Sequence, residues 1–298
     1  MDKNADFYQQ LYTIRRFETL LLEQFSTGIF VGTTHTSLGQ EANAVGVLAH
    51  LEAQDVVVSN HRCHGHFLAY GGDPQALYAE LMGKPSGVCG GVGGSQHLHW
   101  RSFYSSGIQG GTVAMAAGMA LAEKHAGSGA IVVDFLGDGT LGEGIVYECL
   151  NMASLWELPV LFVLENNRIA QTTPSHLALA GDIPARFTAF GIPVTLLDTS
   201  DILAIHPVAG ELMAKVRSES KPQALILETA RLGTHSKGDD MRSAEELDAL
   251  WLERDPIAIH GVRLSESQRS DLIRSVEELI QGAFQAALAA PSQMGGVG

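Results

Sequence analysis

Cysteine is scarce in this 298-residue chain, charge is scarce, and basic charge is scarcer still. The three cysteines, Cys63, Cys89 and Cys149, cannot all pair within one chain, so no disulfide framework is expected. The start, Met1-Asp2-Lys3-Asn4, has no apolar signal segment, and a reducing cytoplasm is the predicted location. Only 19 lysines and arginines stand against 33 acidic residues, a formal net charge of −14, which leaves no basic stripe for nucleic acid or anionic lipid. Long apolar runs are missing too. Stretches such as Val113 to Ala122 fall well short of the roughly 20 residues that cross a bilayer, so no membrane span is expected. No linker divides the chain, which predicts a single domain over residues 1–298 with a sizeable core, 45% of the residues being hydrophobic.

What is present is concentrated in two places. Gly137-Asp138-Gly139-Thr140-Leu141-Gly142-Glu143-Gly144 follows the apolar run Ala130 to Leu136, and a second apolar run delivers Glu165-Asn166-Asn167. Gly137, Gly139 and Gly142 alone would fit G-x-G-x-x-G, the turn of a nicotinamide-dependent dehydrogenase. Asp138 speaks against that. A carboxylate inside a turn that approaches a pyrophosphate repels it unless a cation lies between them. Magnesium takes about six oxygens, one or two of them from protein side chains, and shares phosphate oxygens with its ligand. Asp138 and Asn167, about 30 residues apart, fit the ends of neighbouring parallel strands joined by one helical crossover. The carbonyl of Ile169 is a candidate third oxygen, and the amides of Gly139 and Thr140 would meet a diphosphate. The plainer alternative is an Asp in a strand-to-helix turn and an unrelated Asn pair in a loop.

Periodicity predicts helices over about Asp6 to Ser26, Glu41 to Leu51, Pro74 to Met82, Thr112 to His125, Ile145 to Leu155 and Ile202 to Ser218. Strands are expected over Asp55 to Ser59, Ala130 to Leu136, Pro159 to Leu164, Val194 to Leu196 and Ala224 to Thr229. Strands alternating with helices imply a doubly wound, mostly parallel sheet covered on both faces, with ligands at the carboxyl ends of the strands. The Gly-rich passage 83–94 reads as an ordered loop, because His97-Leu98-His99-Trp100 after it is too apolar for a flexible linker. Gly107 to Gly111 reads as a turn. A capping box at Ser265 and Gln268 opens a C-terminal docking helix at about 265–290, and Pro291 to Gly298 are expected to fray. His61, His64 and His66 flank Cys63, but Cys89, His97 and His99 have no recognised zinc spacing, so zinc is disfavoured.

A Gly-Asp-Gly closing about 30 residues later on Asn-Asn is similar to the diphosphate and magnesium motif of thiamine diphosphate enzymes. The resemblance extends further. Arg16-Phe17-Glu18, His35-Thr36-Ser37-Leu38-Gly39-Gln40-Glu41-Ala42, His61-Arg62-Cys63-His64-Gly65, Gly91-Val92-Gly93-Gly94-Ser95-Gln96-His97-Leu98, Asn151-Met152-Ala153 and His235-Ser236 occur in the order seen in the alpha subunits of 2-oxo acid dehydrogenase E1 components. Nearly the whole chain resembles that family.

The resemblance implies a thiamine diphosphate-binding fold, the cofactors thiamine diphosphate and Mg2+, and decarboxylation of a 2-oxo acid with acyl transfer to a lipoyl-bearing E2. It implies that Arg62 clamps the diphosphate and that His61 stands where the family usually has Tyr. His235 matches a histidine that touches the diphosphate or the reacting group, and His35 one near the substrate end of the cofactor. Gly107, Ile108 and Gln109 match a turn that gives backbone contacts; Gln109 departs from an apolar residue. It would add a hydrogen bond near the cofactor ring or change what substrate fits. Glu41 and Glu165 look structural, because in the resembling α2β2 heterotetramers the activating glutamate lies on a separately encoded beta subunit. Ser236 is followed by Gly238 where the phosphorylated animal loops carry a second Ser, so that control is not implied. A non-oxidative lyase or acyl transferase using the same cofactor is the second reading. A non-catalytic assembly subunit is the third, and Asp138, Asn167 and Arg62 argue against it. Pyruvate, branched-chain 2-oxo acids and acetoin are the substrate candidates.

Overall fold

Successive residues of the strand Val132–Gly137 enter different apolar layers, and that alternation organises the molecule. Val133 and Phe135 join one buried cluster, whereas Val132 and Leu136 join another. In the computed structural model, which describes all residues except Met1, Lys237, Asp239 and 293–298, the strands run β1 (Val56–Ser59), β2 (His99–Trp100), β3 (Phe103–Ser105), β4 (Val132–Gly137), β5 (Val160–Asn166), β6 (Ile169–Ala170), β7 (Thr173–Pro174), β8 (Val194–Asp198) and β9 (Gln223–Glu228). Seven of them form one sheet in the order β2-β3-β1-β4-β5-β9-β8. Every pairing in it is parallel except β2 with β3. The expected doubly wound sheet is therefore present, with an antiparallel strand at one edge.

Helices Lys3–Phe25, Glu41–Leu48, Ile202–Glu219 and Glu266–Ala289 cover one face. Gln109–Ala126 and Gly144–Leu155 cover the other. The first of these two reaches the sheet through Val113, Ala116, Ala117 and Ala120, side chains small enough to bring helix and strand close. Each larger side chain shut in this way, such as Phe162 or Leu164, contributes roughly 1.5–3 kcal/mol of burial. Asp73 caps the helix Pro74–Leu81 with its carboxylate, and the predicted capping box at Ser265 and Gln268 is formed. The C-terminal helix lies against Lys3–Phe25 of its own chain, where Tyr12 and Arg16 both donate to Glu277.

The Gly-rich passage 83–94 is held by one fully buried carboxylate. Glu80 accepts the amides of Cys89 (2.7 Å), Gly91 (2.9 Å), Gly93 (2.7 Å) and Gly94 (3.0 Å). One expectation needs correction. The turn read at Gly107 to Gly111 ends earlier, because the helix starts at Gln109, and Glu143 accepts the Gly110 amide at 3.0 Å. A further helix, Cys63–Ala69, and the β2–β3 pair complete the region around the histidines. Of the tail expected to fray, 291–292 are exposed and 293–298 lie outside the described residues. Among the described residues, no helix is long and apolar enough to cross a membrane.

Candidate functional site

Parallel register brings the two halves of the motif together. Gly137 of β4 pairs with Glu165 of β5, so the chain leaves the sheet at Asp138 and at Asn167 side by side. Asp138 opens a short 3-10 turn ahead of the helix Gly144–Leu155 and is buried. After Asn166, the chain turns through Arg168 at φ +63° into the β6–β7 hairpin, with the Asn167 carbonyl side-chain oxygen accepting the Ile169 amide at 3.2 Å. Gly139 lies under this hairpin: a Cβ there would stand 2.8 Å from that of Ala170. Only glycine lets the two loops close.

Between them is a cavity of about 220 Å³ at the carboxyl ends of the strands. His61, Arg62, Gln109, Asp138, Gly139, Thr140, Asn167, Ile169 and His235, all singled out by sequence, line it. Gly107, Ile108 and His35 do not line it. Ile108 is exposed, and the Gly107 carbonyl accepts the Gln109 side-chain amide at 3.1 Å. Gln109 thus braces the turn before its own helix. His35 stands one ring farther back, 4.7 Å from the rings of both His61 and His235.

The electrostatics favour an anion flanked by a cation. Arg62 is buried, and burial together with Arg231 pulls its guanidinium down to about 9. It donates to the Thr36 carbonyl at 2.8 Å and to Nδ1 of His235 at 3.0 Å. Arg231, which the sequence reading passed over, stands 3.4 Å from the same nitrogen. A buried guanidinium in the cavity wall, Arg62, with a second, Arg231, close behind it, suits a diphosphate. At the other end burial pushes the Asp138 carboxyl up, against the Ser175 hydroxyl and the backbone amides that favour its charge. A bound cation would restore that charge. Asp138, Asn167 and the Ile169 carbonyl form an all-oxygen donor set of the kind magnesium takes, so the residues fit magnesium diphosphate.

The histidines divide by role. His64 lies between Glu18 (3.1 Å) and Ser95 (3.0 Å), the structural hydrogen bonding expected of it. His66 meets Ser59 at 2.8 Å and Glu165 at 3.5 Å. The grouping read at His61, His64 and His66 is thereby dispersed, and His35, His61 and His235 come together instead, their ligand atoms within 4.8 Å of one another. A guanidinium only donates, so Nδ1 of neutral His235 accepts from Arg62 and the ring hydrogen falls on Nε2. His61 is driven well below its ordinary value by burial, then by the charges of Arg62 and His35, and stays neutral near pH 7.

Glu41 and Glu165 behave as scaffold. Glu41 is fully buried against Arg15 (2.6 Å) and the Gly39 amide (2.9 Å). Glu165 accepts from Asn43 at 3.0 Å; burial raises its carboxyl, but His66 and the two asparagines outweigh that and hold it low. Glu165 also forms part of the cavity wall, as does Glu143.

A family model described as the dehydrogenase E1 component matches residues 9–294. The alpha subunit of an acetoin:2,6-dichlorophenolindophenol oxidoreductase from Cupriavidus necator is 38% identical over 296 residues, spanning 95% of this chain and 89% of that one. The pyruvate dehydrogenase E1 component subunit alpha of Zymomonas mobilis is 39% identical over 259 residues, 85% of this chain and 73% of that one. A Bacillus subtilis protein of the same name as the first is 36% identical over 292 residues, 95% and 88% of the two chains.

Proposed function

The chain belongs to the dehydrogenase E1 component family, and from that premise we propose that it is the alpha subunit of a thiamine diphosphate-dependent enzyme that decarboxylates a 2-oxo acid. The observation that carries the reading is the convergence of Asp138, Asn167, Arg62 and His235 on one cavity. Thiamine diphosphate, when bound, supplies the electron sink that lets the bond beside a carbonyl break. The chain's own contribution is to hold and orient. Asp138, Asn167 and the Ile169 carbonyl would hold Mg2+, and the amides of Gly139 and Thr140 would meet the diphosphate at the start of the turn. Arg62 carries its positive charge to the same group and, by donating to Nδ1 of His235, leaves that ring's hydrogen on Nε2. His61, neutral, and His35 behind it border the reacting end.

Neither glutamate in the cavity wall has the role of activating the cofactor in this reading, since Glu165 is engaged by His66, Asn43 and Asn60 and Glu143 accepts the Gly110 amide. A separately encoded beta subunit would supply it in an α2β2 assembly, with a lipoyl-bearing E2 as acyl acceptor. The relatives' names carry two substrates, pyruvate and acetoin, and a dye acceptor. The test is reduction of 2,6-dichlorophenolindophenol by this chain with and without the beta subunit, offering pyruvate, a branched-chain 2-oxo acid or acetoin. Activity only in the mixed assembly supports the reading. Turnover by this chain alone would overturn the shared site.

A further inference from the structure

Ser175 belongs to no motif read in the sequence, yet it joins the two halves of the site. Its hydroxyl donates to Oδ2 of Asp138. Its amide donates to the Arg168 carbonyl at 2.9 Å, closing the base of the β6–β7 hairpin, where Ile169 faces Pro174 and Ala170 faces Thr173. One residue therefore grips the carboxylate at the end of β4 and the segment after β5 that carries Asn167 and Ile169. Its relative exposure is 9%, so water does not easily replace the hydroxyl. A carboxylate with one oxygen fixed by a donor has its other oxygen and its plane fixed as well. Partners one step behind a metal ligand typically govern metal affinity by about 10–100-fold.

Resting on the reading of Asp138 and Asn167 as the magnesium ligands, we propose that Ser175 is a positioning residue for that metal: its hydroxyl turns Asp138 toward the cation while its amide sets the loop that presents Asn167 and Ile169. The alternative is a packing role, in which Ser175 satisfies a buried carboxylate and nothing more. The two differ in what the hydroxyl alone does.

The experiment measures Mn2+ binding, followed by the electron paramagnetic resonance signal of free Mn2+, in the full chain with its beta subunit and saturating thiamine diphosphate. Ser175→Thr retains the hydroxyl, and Ser175→Val matches threonine in size without it. The proposal expects Thr to bind within about threefold of the parent and Val to bind at least about tenfold more weakly. Ser175→Ala, smaller than either, is expected to follow Val. Equal affinity for Thr and Val, whether high or low, overturns the positioning role. Parent protein that binds no Mn2+ overturns the metal reading beneath it, a result that the variants cannot imitate.

Discussion

Asp134 sits at the centre of β4, between Val58 and Phe162 in register, on the face filled by apolar side chains. It is fully buried, and neither carboxyl oxygen has a hydrogen-bond partner among the described residues. Burial pushes its carboxyl from 3.8 to about 8. The fold thus keeps a proton that the unfolded chain releases, and stability is affected wherever the two states differ in protonation. The sign follows directly. The folded value is raised, so the contribution is fully present below about 3.8 and is lost as pH rises through about 8. Across that window the slope is about 1.4 kcal/mol per pH unit, or about 3 kcal/mol between pH 5 and pH 7. Asp134→Asn keeps the volume and removes the titration. Urea unfolding of both proteins at pH 5, 6 and 7 is expected to show the parent losing about 3 kcal/mol more than the variant over the range. Parallel curves would refute the reasoning and mean that Asp134 has a partner or reaches water.

Glu80→Gln replaces two acceptor oxygens with one and turns a donor toward two of the four backbone amides; a loss of about 2–3 kcal/mol is expected, with faster hydrogen exchange among Cys89, Gly91, Gly93 and Gly94. Unchanged exchange would mean that the loop orders itself. Gly39 has φ +92°, and a Cβ there would stand 2.3 Å from the Ala230 carbonyl oxygen. Gly39→Ala is expected to cost about 2 kcal/mol or more and to lower the melting temperature, since it forces apart the segments that carry His35 and His235. His61 is depressed in the fold below its ordinary 6.5, so its contribution is present above that value and is lost as pH falls below it. His61→Tyr should lose less stability than the parent between pH 7.5 and 5.5 in urea unfolding; an equal loss contradicts a neutral His61.

The meeting of Asp138 and Asn167 at one cavity was legible because Asp138 is chemically out of place in a phosphate-binding turn, and because parallel strands keep motif ends together. Arg62 and His235 were legible through family resemblance, with no local signal of their own. Arg231 and Ser175 were not legible. Each acquires its place only when β9 pairs beside β5 or the β6–β7 hairpin brings Ser175 to Asp138 at the end of β4. Gln109 misled for a related reason: three glycines around it read as a turn, while the Glu143 carboxylate that satisfies the new helix's Gly110 amide is 33 residues away. β2 and β3 are short and meet through Arg101 at φ +55°, a reversal that tertiary pairing decides.

The central claim is that Asp138 and Asn167 hold a magnesium ion for thiamine diphosphate. Calorimetric titration of thiamine diphosphate into the assembly of this chain with its beta subunit, with and without Mg2+ and beside Asp138→Ala, tests it most directly. The account predicts magnesium-dependent binding that Asp138→Ala abolishes. Binding that ignores both magnesium and Asp138, or no binding at all, would contradict it.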